Sequence, residues 1–132
     1  MIPASMTIFA FLSVFLGAGI GACLRYALSL GLNPLFPPVP MGTLASNLVG
    51  AYLAGAIATF FYLRTGFPDA YRLFLITGFL GGLTTFSSFS LEMVALLNSG
   101  RVLLAVGAGF AHLGGSLALT LLGAWTARSV FA

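Results

Sequence analysis

The segment "GGLTTFSSFS", residues 81–90, sets two glycines and five hydroxyl side chains inside a stretch otherwise as apolar as lipid. It follows "LFLITGFL" and runs into "LEMVALLN". Adjacent glycines at mid-span, followed by Thr84 and Thr85, favour a broken helix over a straight one. Irregular backbone at membrane depth survives only where it is buried in protein or lines a watery path. The alternative is a continuous helix whose hydroxyls bond back to carbonyls one turn earlier. A break leaves unpaired carbonyls at the end of the first half and unpaired amide hydrogens at the start of the second. Near a two-fold axis, carbonyls from two copies could hold a small cation such as Na⁺, while the second half offers donors to an anion.

The flanking composition puts this segment in a bilayer. The chain has 132 residues, of which 60% are hydrophobic and 5% charged, and its mean hydropathy is +1.12. About 20 apolar residues cross about 30 Å of hydrocarbon, and four stretches meet that length: Met6 to Leu30, Met41 to Leu63, Arg72 to Leu97 and Val102 to Ala127. The expectation is an all-α membrane protein, residues 1–132 forming a single integral membrane domain of four transmembrane helices with the third broken near its middle. The connections "GLNPLFPPVP", "RTGFPDAY" and "NSGR" carry helix-ending Pro, Gly and Asn and are too short for a soluble domain. "MIPASMT" lacks the basic start of a secretory signal, so the first apolar stretch reads as a span. The single Cys23 offers neither a disulfide framework nor a cysteine metal site within one chain. The net charge of +3 is spread rather than clustered, which argues against nucleic acid as a partner.

Four spans place Arg64, Arg72 and Arg128 on one side and Arg25 and Arg101 on the other. The arginine bias that normally sets orientation is almost absent. A chain that inserts both ways up can pair with its inverted copy, so the expected assembly is an antiparallel, dual-topology homodimer surrounded by membrane lipid. A fixed orientation is the alternative. Gly17 with Gly21, Gly50 with Ala54 and Ala58, and Ala111 with Gly115 recur at spacings that let helix backbones approach closely.

The polar groups at membrane depth suggest what crosses. Phe86 and Phe89 share a helix face, and the positive edge of a phenyl ring can stabilise a dehydrated anion. Asn47 carries two amide donors, with Thr43 one turn before it on the same face. An interhelical hydrogen bond that merely joins helices is the rival reading of Asn47. His112, Ser116 and Thr120, spaced by four, form a stripe about 12 Å long. Arg25 and Glu92 are intramembrane charges that either pair with each other or leave Arg25 in an anion-attracting vestibule. A cation path would be expected to show carboxylate rings, and the first, second and fourth stretches hold no acid. The inventory points to a small anion, and fluoride suits closely placed donors better than chloride does.

"GAGIGACLRY", "GTLASNLVGAYLAG" and "GFLGGLTTFSSFS" resemble the signature segments of the Fluc/CrcB fluoride channels, in the same order across four spans. The resemblance implies a dual-topology antiparallel homodimer in the bacterial inner or plasma membrane, with two fluoride pores built from both subunits. It implies a central structural Na⁺ held by main-chain carbonyls of Gly81 and Thr84. Phe86 and Phe89 would be the ring pair along the pore and Asn47 the amide donor. Thr43, Ser88, His112, Ser116 and Thr120 would form a polar track, and Arg25 would lie in a vestibule. Two positions depart from the pattern: Ala108 stands where some relatives have a tyrosine, and His112 where some have a hydroxyl. The implied activity is passive export of fluoride trapped in the cytoplasm, with no bond made or broken and hence no enzyme. One rival is a small multidrug-resistance type exporter, which should carry a carboxylate in mid first span. The other is a non-transporting membrane subunit.

Overall fold

The computed structural model describes the backbone of residues 4–132 and the side chains of residues 7–132. Among the described residues every regular element is helical, and there are no strands. Helix α1 (Ala4–Leu32) leads through a 3-10 turn (Asn33–Leu35) to α2 (Met41–Leu63). The third span is composite: α3 (Asp69–Arg72), a π-helical stretch (Leu73–Leu80), α4 (Gly81–Leu83) and α5 (Phe86–Asn98). Helix α6 (Val102–Phe131) ends the chain. Four helical runs are long and apolar enough to cross a membrane.

Three of the four helical runs extend a few residues beyond the apolar stretches read from sequence, and α2 matches its stretch. Their ends carry charges that suit the helix dipole, Asp69 in the first turn of α3 and Arg128 in the last turn of α6. Gly100 closes α5. At φ 74° it takes a conformation that favours glycine, and it directs its own N–H to Leu97 O (3.0 Å) and the N–H of Arg101 to Leu96 O (2.9 Å). The chain can therefore reverse into α6 within three residues. At the opposite end, Arg72 Nη2 donates to Phe61 O at 2.9 Å and its guanidinium lies 5.4 Å from the centre of the Phe61 ring. That contact caps the last turn of α2.

Two helix pairs form the frame: α1 runs along the π-helical stretch and α4, and α2 runs along α6. In lipid no hydrophobic force drives helices together, so close backbone contact must do it. A Cβ on Gly17 would strike Phe74 O, one on Gly21 would strike Phe79 O, and one on Gly82 would strike Ala18 O. The α2–α6 pair meets in the same way, Gly55 against Thr120 O and Gly123 against Tyr52 O. Of the small residues singled out by spacing, Gly50 instead faces the Thr84 methyl group and Gly115 faces Leu48. Large apolar side chains such as Phe15, Leu103 and Trp125 point outward, while Leu83 and Ser46 are fully buried. This distribution is the reverse of a water-soluble fold and suits a lipid surround.

Between α4 and α5, Thr84 (φ −83°, ψ 154°) and Thr85 (φ −150°, ψ 119°) are extended. The helical run from Asp69 to Asn98 is interrupted there, beside α2 and α6.

Candidate functional site

In an extended residue the N–H and C=O point to the same side, so one carboxamide can meet both. Asn47, from α2, does so: its Oδ1 accepts the Thr85 N–H at 2.7 Å and its Nδ2 donates to Thr85 O at 3.0 Å. This pairing fixes which end of the amide is nitrogen. The second Nδ2 hydrogen points to His112 Nδ1 at 3.1 Å. His112 Nδ1 is thereby the acceptor, and the proton of a neutral ring sits on Nε2. That Nε2 is buried with no hydrogen-bond partner among the described residues.

Thr85 also starts α5. Its Oγ1 accepts the Ser88 N–H at 3.2 Å, as an N-cap does, and it lies 3.1 Å from Ser88 Oγ and 3.2 Å from Ser87 Oγ. The first turn of α5 then presents Phe86 and Phe89, with ring centres 5.5 Å apart. Phe89 lies 4.6 Å from the His112 ring. Phe86, 79% exposed, continues this row of rings out to the surface of the chain.

These groups surround a cavity of about 340 Å³ that runs from Asn47 and His112 past Thr85 and Phe89 to Ser116 and Thr120. No carboxylate lines it. Its polar groups differ in what they have left to offer. The Thr120 hydroxyl lies 2.8 Å from Ser116 O and 3.2 Å from Ala51 O, so its hydrogen is spent on backbone. Ser116 lines the same wall, half-buried.

The structure thus brings Asn47, Phe86, Phe89, His112, Ser116 and Thr120 to one cavity, with Ser88 tied to it through Thr85. Thr43 is placed elsewhere: its hydroxyl donates to Glu92 Oε1, on the α5 side of Asn47. The pairing of Arg25 with Glu92 is not formed. Arg25 Nε donates instead to Gly82 O at 3.0 Å, while Glu92 takes Thr43 because α2, and not α1, lies against that part of α5. Ala108 is buried among Val39, Leu96 and Ala105, away from the cavity. Thr85 was not singled out in the sequence as a site residue, although both of its main-chain groups meet Asn47. The signal was present in "TFSS", a threonine followed three residues later by the amide it caps.

Gly81 and Thr84 sit on either side of the end of α4. The Thr85 N–H, which would close on Gly81 O in a continuous helix, goes to Asn47 Oδ1. Thr84 bonds back to Leu80 O with both its N–H (3.0 Å) and its hydroxyl (2.8 Å). Among the described residues, no group of three or more His, Cys, Asp or Glu could hold a metal. A hard cation at this break would depend on carbonyl oxygens, the donors it prefers.

Residues 12–124 match the family described as "CrcB-like protein, Camphor Resistance (CrcB)". A protein of Burkholderia cenocepacia (strain HI2424) named "Fluoride-specific ion channel FluC" is 53% identical over 121 residues, covering 92% of this chain and 94% of that protein. The protein of the same name from Burkholderia ambifaria (strain MC40-6) is 51% identical over 124 residues, covering 94% and 97%. That from Burkholderia pseudomallei (strain 668) is 51% identical over 121 residues.

Proposed function

The chain belongs to the CrcB-like family, and from that premise we propose that it is a fluoride-selective channel, a multi-pass membrane protein that lets fluoride leave the cytoplasm passively. The observation that carries this reading is the cavity between α2, α5 and α6, lined by hydroxyl, amide and imidazole groups and by phenyl rings, with no carboxylate. Such a surface suits a small anion and disfavours a cation. Fluoride enters a cell as neutral HF, ionises there and is trapped. A passive pore drains it down its own gradient without any covalent chemistry.

Each group has a role in this reading. Phe86 and Phe89 offer ring edges along the path. Ser116 and His112 Nε2 offer donors not engaged by backbone. Asn47 holds Thr85 extended with one Nδ2 hydrogen, and the hydrogen now directed at His112 Nδ1 is the one an anion would compete for. Ser88, tied to the cavity wall through Thr85, extends the track.

The exposed Phe86 and the polar first turn of α5 need a covering surface within the membrane, and a second, inverted copy of this chain supplies one. Two such copies give two pores. The balanced arginines of the two faces favour insertion both ways up. Where two breaks meet across the axis, Gly81 and Thr84 are the residues whose carbonyls would hold Na⁺. Gly81 fits that use: it is exposed, its ordinary helical donor is diverted to Asn47, and its missing side chain leaves open space. Bound there, Na⁺ would supply a fixed positive charge joining the two subunits.

The direct test is fluoride efflux from liposomes containing the purified protein, with a K⁺ ionophore to dissipate voltage and chloride-loaded liposomes as control. Fluoride release without chloride release is expected, and no release from a folded protein would overturn the reading. A second reading, that the polar residues only join helices, draws on Asn47, both of whose amide hydrogens are engaged within the chain. It predicts that Asn47 or Phe86 variants lose stability rather than flux, and it fails if Phe86→Ile stays folded yet stops fluoride movement.

A further inference from the structure

Arg25 reads from the sequence as a vestibule charge, but its Nε–H makes a specific bond to Gly82 O (3.0 Å) across the α1–α4 contact. Gly82 O is one of the last carbonyls of α4, and in an unbroken helix it would accept the N–H of Phe86. We propose that Arg25 is a positioning residue that, by occupying the Gly82 carbonyl, keeps the helix from closing across Thr84 and Thr85. The proposal rests on the channel reading, since what it positions is the start of the ring-lined segment.

Two side chains from two helices hold the interruption from its two ends. Asn47 of α2 takes the N–H and C=O of Thr85, on the far side of the gap. Arg25 of α1 takes the carbonyl on the near side. The distance between them is fixed by backbone contact, because a Cβ on Gly82 would strike Ala18 O and one on Gly21 would strike Phe79 O, with no room for α1 to slide. A cation at the carbonyl end of a helix is also favoured by the helix dipole. The half-buried guanidinium thus supplies donor and charge together.

Donor and charge can be separated, because the Nε of arginine and the Nε2 of glutamine stand the same number of bonds from the backbone. Arg25→Gln keeps an N–H at that place and loses the charge. Arg25→Lys keeps the charge but moves its donor one atom farther out. Arg25→Met keeps the length and has no donor. In full-length protein reconstituted in liposomes, Arg25→Gln is expected to move fluoride within about twofold of wild type, and Arg25→Met about tenfold more slowly, the factor expected when a buried carbonyl loses its partner. In detergent, amide hydrogen exchange over residues 84–88 is expected to rise in Arg25→Met and to stay at the wild-type level in Arg25→Gln.

The proposal is overturned if Arg25→Lys behaves as wild type while Arg25→Gln matches Arg25→Met, which would make charge the active property. It is equally overturned if all three variants match wild type in exchange. Should Arg25→Met fail to fold, a tenfold loss in Arg25→Gln still refutes it and near-normal flux still supports it. The exchange readout does not depend on fluoride, so a wild type that moves none strikes the channel reading alone.

Discussion

Residues 69–83 and residues 86–98 belong to one span but are held by different forces. The first half is apolar, partly wound as a π-helix, and pressed against α1 where glycines let main chains touch. The second carries hydroxyls and phenyl rings and is fastened at separate points: the hydrogen bonds of Asn47 with Thr85 and of Thr43 with Glu92, and the contact of the Phe89 ring with His112. Backbone contact through glycine leaves nothing to adjust. Point attachments leave the intervening faces free to meet something else. The first half therefore acts as a fixed frame, and the second as the surface that the frame presents.

If this division is right, a change in the frame should cost folding, and a change on the presented surface should cost transport. The largest effect is expected from Gly21→Ala, whose methyl group would enter the main chain of Phe79. Forcing two helices apart costs about 3 kcal/mol, so thermal unfolding in detergent should begin at a clearly lower temperature. A Gly21→Ala protein as stable as wild type would break the comparison at its first half.

Asn47→Leu comes next, because Asn47 is the join between the two halves. It strips Thr85 of partners for both main-chain groups and His112 of its Nδ1 donor. At about 1–3 kcal/mol for each buried group left unpaired, the extended conformation of Thr85 loses its advantage. Fluoride efflux is expected to fall about 100-fold, and hydrogen exchange at Thr85 and Phe86 to rise. Loss of efflux without a change in exchange would assign Asn47 to the anion alone.

Much of this organisation was legible in the sequence, for reasons that differ by feature. The spans follow from runs of apolar residues, and the facing of Phe86 and Phe89 follows from helix geometry. What could not be read is which side chain meets which. Arg25 finds Gly82 and not Glu92, and Asn47 finds Thr85 and His112 together, because glycine contacts set how far each helix is shifted along its neighbour. Helical periodicity identifies a face but not that shift. The π-helical winding of "LFLITGFL" is likewise invisible in composition, since any apolar run would serve an α-helix equally well.

Phe86→Ile sharpens the contrast from the other side. With 79% of its surface exposed, Phe86 contributes little to the packing of the chain. The variant should unfold at the wild-type temperature while efflux falls about tenfold, the worth of one ring-edge interaction. A stability loss in place of a transport loss would reassign Phe86 to the frame.

The smallest effects are expected along α6, and they separate two hydroxyls one turn apart. The Thr120 hydroxyl is committed to Ser116 O and Ala51 O, so Thr120→Val should cost about 1 kcal/mol of stability and leave efflux nearly unchanged. Ser116 lines the cavity beside the rings, so Ser116→Ala should leave stability unchanged and slow efflux about threefold, the share of one exposed hydrogen bond. The opposite pattern would mean that the anion displaces backbone from Thr120 as it passes. In that case the division between frame and presented surface would run between α5 and α6, and not between the halves of the third span.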